Sequence, residues 1–310
     1  MITEFRLKPL ALVALTTLTL NTGAAFAATG IQDAIPVAKA LDGTVKDDGW
    51  YNLTVRNQTK VVDGNTVTIA ANTGYPSVFN STNAWPQAIA SQVNSGGPAA
   101  GFNKVSNGNG FGPYPAGDAL YAISFSNNFN AKGGTLGVFE ANPVANLASV
   151  VFQVELGNAN GYDFYQPTQA GTTAYGNASA LQVGALTNID YSPKLNLTFA
   201  DNTSASLASG WAELSAKGEN GTIAMPTGEE PIYINLYAFQ WDLSSYTNIS
   251  SYNITFDVVE HSQTYAARLT QSDTFNQVVA VSAVPEPEAY AMFLAGLGLI
   301  GFVSRRRKQS

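Results

Sequence analysis

Apolar side chains recur at every second position in short segments along the middle of this chain. They do so over 50–56, 60–70, 120–126, 149–156, 195–199, 232–241, 252–259 and 275–281. A period of two places alternate side chains on opposite faces of an extended backbone, so each segment reads as a half-buried β-strand. The segments are rich in Val, Ile, Thr, Tyr and Phe and lie between clusters of Gly, Asn, Asp and Ser. Within 60–70, Asp63-Gly64 supplies a hairpin turn. No window of comparable length in the body carries a 3.6-residue apolar stripe, so the expected fold class is all-β, an antiparallel β-sandwich or jelly-roll-like body.

Three tetrads, Asn52-Leu-Thr-Val55, Asn196-Leu-Thr-Phe199 and Asn253-Ile-Thr-Phe256, share a polar-apolar-polar-apolar order. In a strand that order turns Asn and Thr to water and the other two residues to the core. Residues 94–118 hold 7 glycines and 3 prolines and lose the alternation, which predicts a long surface loop. A length of 310 residues is compatible with one or two domains. One β domain with a large insertion is expected over 28–284.

Composition narrows the chemistry. There is no cysteine and a single histidine, His261, which excludes thiolate metal sites, disulfides, a Cys nucleophile and a multi-His metal centre. Hydrophobic residues make up 45% of the chain and charged residues only 12%. Without its two ends the chain keeps nine Lys/Arg against nineteen Asp/Glu, a net charge of about −10. That balance opposes nucleic acid as a partner and favours neutral glycans over anionic ones.

The two ends carry addresses. Arg6 and Lys8 precede the apolar run 10–20, and Ala25-Phe26-Ala27 closes it with a small-x-small pattern. Residues 1–27 therefore read as a secretory signal peptide with cleavage determinants Ala25 and Ala27, the work of a signal peptidase. At the other end, Pro285-Glu286-Pro287 precedes fifteen uncharged residues, Ala289–Val303, and then Arg305-Arg306-Arg307-Lys308. Such an apolar stretch can cross a thinned bilayer as a transmembrane helix, and the basic run holds the end on the cytoplasmic side. The prolines keep the preceding stalk extended and accessible.

This three-part tail, 285–310, resembles the PEP-CTERM sorting signal of Gram-negative bacteria. The resemblance implies an exosortase substrate: motif Pro285, Glu286 and Pro287, membrane helix 289–303 and a membrane stop at Arg305, Arg306, Arg307 and Lys308. It further implies export through the inner membrane, transient anchoring, cutting near the motif, and delivery to the cell surface or extracellular matrix. Exopolysaccharide and biofilm are the associations it suggests. Residues 239–277 are similar, more loosely, to the last strands that commonly precede such tails.

No compact catalytic set stands out, so no enzyme is expected. His261 lies between Glu260 and Ser262 with no Gly-x-Ser-x-Gly elbow in the chain, and reads as a turn residue. The adjacent carboxylates Asp47/Asp48 and Glu229/Glu230 could serve a glycosidase only if both faced one substrate, and both pairs read as solvated turns. Calcium could be held by turn oxygens in 158–163 or 42–48, although neither has the EF-hand order. No other metal or cofactor is expected. For glycan contact, the rings expected outside clear strands are Trp85, Tyr162 and Tyr165. A glycan-binding module and a secreted glycan-active hydrolase are the alternative functions.

Overall fold

The computed structural model describes residues 36–280, apart from 63, 73–83, 86, 95–99, 124–130, 158–163, 166–183, 186–192 and 226–227. The signal segment, Ala25 and Ala27, Tyr162, and the whole tail with its motif, apolar stretch and basic run lie outside the described residues.

Among the described residues there are seventeen strands. The first eight are β1 (Val45–Trp50), β2 (Gln58–Val62), β3 (Asn65–Ile69), β4 (Ile89–Ala90), β5 (Val93–Asn94), β6 (Ala100–Asn107), β7 (Tyr114–Ala116) and β8 (Ala119–Tyr121). Then follow β9 (Lys132–Glu140), β10 (Ser149–Gly157), β11 (Gly184–Ala185), β12 (Lys194–Phe199) and β13 (Ser204–Leu207). The last four are β14 (Trp211–Met225), β15 (Gly228–Asp242), β16 (Ile249–Val259) and β17 (Gln263–Ser272).

A larger sheet runs β11-β14-β15-β10-β17-β1-β5, with β8 on the far end of β17 and β7 on β8. A smaller sheet runs β13-β12-β16-β9-β6-β4, and β2 and β3 form a separate hairpin. The ladders between these strands are antiparallel. The chain is thus all-β in its described part.

The two sheets share one core. Val150, Phe152 and Val154 of β10, Tyr237 and Phe239 of β15, and Leu269 of β17 pack in the same cluster as Leu136 and Val138 of β9 and Ile254 and Phe256 of β16. The Phe152 and Phe256 rings meet across it at 5.6 Å. Burying a side chain of this size contributes about 1.5–3 kcal/mol, and that gain is what closes the sheets face to face.

The larger sheet is also covered on its outer face, which is why β10 is buried along its full length. There Val151 and Ala238 carry Val279, with Leu41, Trp211 and Val278 packed around them. Part of the cover consists of two extended straps, one from each end of the described chain, and Tyr51 with Ile69 of β3 covers Ala266 of β17. Gln240 Oε1 accepts hydrogen bonds from the Val278 and Val279 N–H groups at 2.9 and 3.1 Å. Its Nε2 donates to Asn276 O at 2.7 Å. Beside them, Arg268 grips Asp47 through Nε at 2.9 Å and through Nη2, and donates from Nη1 to Pro36 O at 2.8 Å.

Four sequence expectations are corrected here. The interval 94–118 is not one long loop, because β6 lies within it and pairs with both β9 and β4. Its glycines serve close approach: a Cβ on Gly108 would stand 2.2 Å from the Gly133 carbonyl carbon, and one on Gly101 would meet the Phe139 ring at 2.6 Å. Residues 51–56 leave the ladder after β1 instead of continuing it. There the first tetrad departs from its expected sense: Leu53 is in the core as expected, but Asn52 and Thr54 are buried and Val55 is exposed. Asn52 Nδ2 donates to Arg56 O, Ile69 O and Ala70 O at 2.7–3.1 Å, which rewards burying an amide. Finally, 275–280 forms a strap bonded by side chains, not a strand.

Candidate functional site

The described body presents three places where polar chemistry collects: the anchored strap that leads into the tail, a buried charge network at one end of the sandwich, and the cleft that this network supports.

The strap is held at its last described residue. Glu213, on the outer face of β14, accepts from the Ala280 N–H at 2.7 Å through Oε2. Through Oε1 it accepts from Ser215 Oγ at 2.6 Å, and it pairs with Lys39 of the N-terminal strap. Burial alone would raise this carboxyl, but the bonds from Lys39, Ser215 and Ala280 outweigh it and hold it below its usual range. One carboxylate therefore ties both ends of the body together.

The network lies between the sheets. Lys46 Nζ donates to Glu140 Oε2 at 2.7 Å and to Asn142 O at 3.0 Å. Gln271 Nε2 donates to the same Glu140 oxygen at 2.8 Å, and its Oε1 accepts from the Val144 N–H at 3.0 Å. Glu140 Oε1 accepts from the Asn142 N–H at 2.7 Å. Every partner of this ion pair is thus spent on fixing the chain after β9. Asp48, fully buried on the same face of β1, is pushed up to about 6 by burial, against the opposing pull of Ser91 and Lys46. The Tyr252 hydroxyl is raised well above its usual value by burial and by the nearby Glu140 and Asp48 carboxylates.

The cleft has a volume of about 910 Å³ and lies between the β9–β10 connection, the β15–β16 connection and the residues just after β17. Asn146 and Asn248 sit at left-handed φ of 56° and 59°, a conformation that asparagine tolerates and that lets each connection fold tightly. Leu243 N–H bonds to Ala148 O at 2.8 Å and ties two of the walls together. Asp273 Oδ1 accepts from the Thr44 N–H at 2.8 Å, which pins the third and lowers that carboxyl.

The residues singled out by sequence do not assemble into one site. Trp85, expected outside the strands and open to a sugar, is 6% exposed and belongs to the main core. Its backbone N–H bonds to Lys104 O at 3.1 Å, and a ring placed in the core gains more from burial than from solvent. Tyr165 is half-buried on a short segment bridged to β16, next to Phe164, whose ring fills the core 5.2 Å from Tyr237. His261 occupies the β16–β17 turn at φ 68°, where its Nδ1 shares a 2.7 Å hydrogen bond with Tyr121 Oη.

Asp47 and Asp48 are not a solvated turn but neighbours on β1 facing opposite sides, Asp47 to Arg268 and Asp48 to the core. Glu229 lies on β15, exposed and 3.5 Å from Thr222 Oγ1. Of the calcium candidates, 158–163 lies outside the described residues, and among the described residues no three His, Asp or Glu side chains gather as a metal cluster would. Sequence reasoning missed the cleft residues Asn142, Asn146, Tyr246 and Asn248. The only signal was Asn in short polar connections, which turns alone explain.

Comparison with known proteins places one match on the chain. Residues 283–308 match the PEP-CTERM protein-sorting motif. No curated protein and no solved structure matches the chain. The motif marks an exported protein addressed to an exosortase and sorted to the envelope or surface of a Gram-negative cell.

Proposed function

We propose that this chain is an exported, exosortase-processed protein of the cell surface or extracellular matrix, with no catalytic role of its own. The observation that carries the reading is the sorting match at 283–308, joined within three residues to a strap that the folded body clamps at Ala280. Export would begin with the signal peptide 1–27, cut after Ala27. The helix 289–303, stopped by Arg305–Lys308, would hold the body outside the inner membrane until the exosortase cuts near Pro285-Glu286-Pro287. Matrix exopolysaccharide is the partner this route suggests.

A non-catalytic body is supported by the way its buried charges are used. Glu140 and Lys46 are spent on the backbone of Asn142, and Asp47 is held by Arg268. Asp47 and Asp48 face away from each other, so this pair cannot act as acid and base on one bond. Intact mass and terminal sequencing of the protein recovered outside cells tests the processing. The expected species begins near Ala28 and ends near 284–288. A screen of the same material for glycoside and ester hydrolysis tests the absence of catalysis. Turnover lost on changing one carboxylate or His261 would overturn that part.

A further inference from the structure

We propose that the cleft between the β9–β10 connection, the β15–β16 connection and the segment after β17 is a binding site for a neutral saccharide. The inference goes beyond the sorting route, since it concerns the body that the tail delivers.

The lining chemistry selects the ligand class. Among the described residues that form the cleft, Asp273 is the only charged side chain, and it already accepts from Thr44. Without lysine or arginine there, and with a body charge near −10, phosphate, sulfate or uronate groups would be repelled without a counter-ion. What the walls offer instead are amides. Asn142, Asn146 and Asn248 are all exposed, and their side chains make no hydrogen bond to the described protein. An amide presents two donors and an acceptor with two lone pairs, a set suited to vicinal hydroxyls, which both donate and accept.

The floor adds an apolar element. Tyr246 lines the cleft half-buried, and its ring stacks on Phe199 at 6.2 Å and 23°. A ring fixed in this way keeps little rotamer freedom, so placing a sugar's C–H face against it forfeits little entropy. A volume of about 910 Å³ is within the range that encloses a drug-sized ligand, enough for an oligosaccharide segment of a few rings.

The walls are built before any ligand arrives. The β9–β10 wall is held from inside by Lys46, Glu140 and Gln271 acting on the backbone of Asn142 and Val144. The β15–β16 wall is held by the Ala200 N–H to Asn248 O bond at 2.9 Å and by Ser250 Oγ to Thr198 O at 3.0 Å. A buried ion pair spent on one exposed connection makes sense if its amide must keep a fixed spacing from those of the facing wall.

The test is affinity electrophoresis of the secreted protein through gels containing dextran, galactomannan or xyloglucan, with alginate as the anionic comparison. Retardation by at least one neutral polymer and none by alginate is expected. Asn248→Gly keeps the left-handed backbone and removes only the amide. It should weaken retention about three- to tenfold with an unchanged melting temperature. Asn142→Ala should act in the same direction, and Tyr246→Ala should abolish retention. No retardation in any of the three neutral gels, retardation by alginate alone, or equal retention of wild type and the two asparagine variants would each overturn the proposal. Processing at the two ends is read separately by mass, so either proposal can fail without the other.

Discussion

Glu213 and Ala280 are joined by a 2.7 Å hydrogen bond from the Ala280 N–H to the Glu213 carboxylate, three residues before the sorting match begins in the sequence. The same carboxylate pairs with Lys39, so the N-terminal strap and the strap that precedes the sorting motif share one latch. Pro36 lies nine positions after Ala27, and Val284 four positions after Ala280. At up to about 3.6 Å per residue, the second span reaches no further than about 14 Å. A cut near Val284, as proposed above, would therefore fall within about 14 Å of Ala280.

Glu213→Ala should release both straps. It removes three hydrogen bonds from a carboxylate that is largely buried, a loss of about 1–3 kcal/mol. Limited proteolysis should show new cleavage at 36–41 and 275–284, together with a lower melting temperature. The folded carboxyl sits below the usual value of 4.5, so its contribution is present above that pH and fades as the pH falls through the lower, folded value. The variant should thus differ from wild type at pH 6–7 and converge with it under strongly acidic conditions. An unchanged cleavage pattern at neutral pH would refute the latch.

Asp48 runs the other way. Its folded value near 6 lies above the ordinary 3.8, so the folded state holds its proton more tightly. Stability is then favoured below about pH 4 and drops as the pH rises through 6, by about 3 kcal/mol once the group is ionised. Asp48→Asn should raise the melting temperature at pH 7 and have little effect at pH 4. A variant less stable than wild type at pH 7 would show that ionised Asp48 is better compensated than its surroundings imply.

Much of the fold was legible because burial imposes a period. The β2–β3 hairpin around Gly64, and β10, β12, β15 and β16, fall where the alternation places them. β9 and β6 were not legible, since Gly133, Gly134, Gly137, Gly101 and Gly108 interrupt the pattern for the sake of neighbouring chains that no local signal reveals. β14 hides for a related reason: its inward positions Ala212, Leu214 and Ala216 are mostly small. The cleft was illegible because three connections distant in sequence build it. Only the tail, whose meaning lies in a local order of motif, apolar run and charges, could be read whole.

Gly108→Ala tests the account of the glycine-rich interval. Its Cβ would stand 2.2 and 2.3 Å from backbone atoms of Gly133 and Lys132, which cannot rotate away. A loop glycine with open space around it would accept alanine at no cost, whereas here a loss of about 1–3 kcal/mol is expected. Gly117→Ala is a poor control because its φ is 61°, but Gly210→Ala has only Gln240 O, at 3.9 Å, near the new methyl. Equal melting temperatures for the Gly108 and Gly210 variants would sink the close-approach explanation.

The sorting tail makes the last prediction. If the exosortase cuts where the proline-stiffened segment leaves the membrane, the mature C-terminus falls within 284–288, four to eight residues beyond the Ala280 latch. Replacing Pro285, Glu286 and Pro287 by alanine should leave an uncut chain in the inner-membrane fraction, because the apolar run and its basic stop remain. Deleting Arg305–Lys308 removes the charges that resist translocation and should give premature or misrouted release. The latch adds a constraint of its own. Inserting eight Gly/Ser residues between Ala280 and Val284 lengthens the maximum reach by up to about 29 Å and should leave cutting intact or faster, since it frees the motif from the body. Wild-type protein recovered outside cells that still carries Phe302–Ser310 would show that the tail is a plain anchor or a buried helix and not a sorting signal, and uncut protein in the lengthened variant would show that the exosortase needs the body close by.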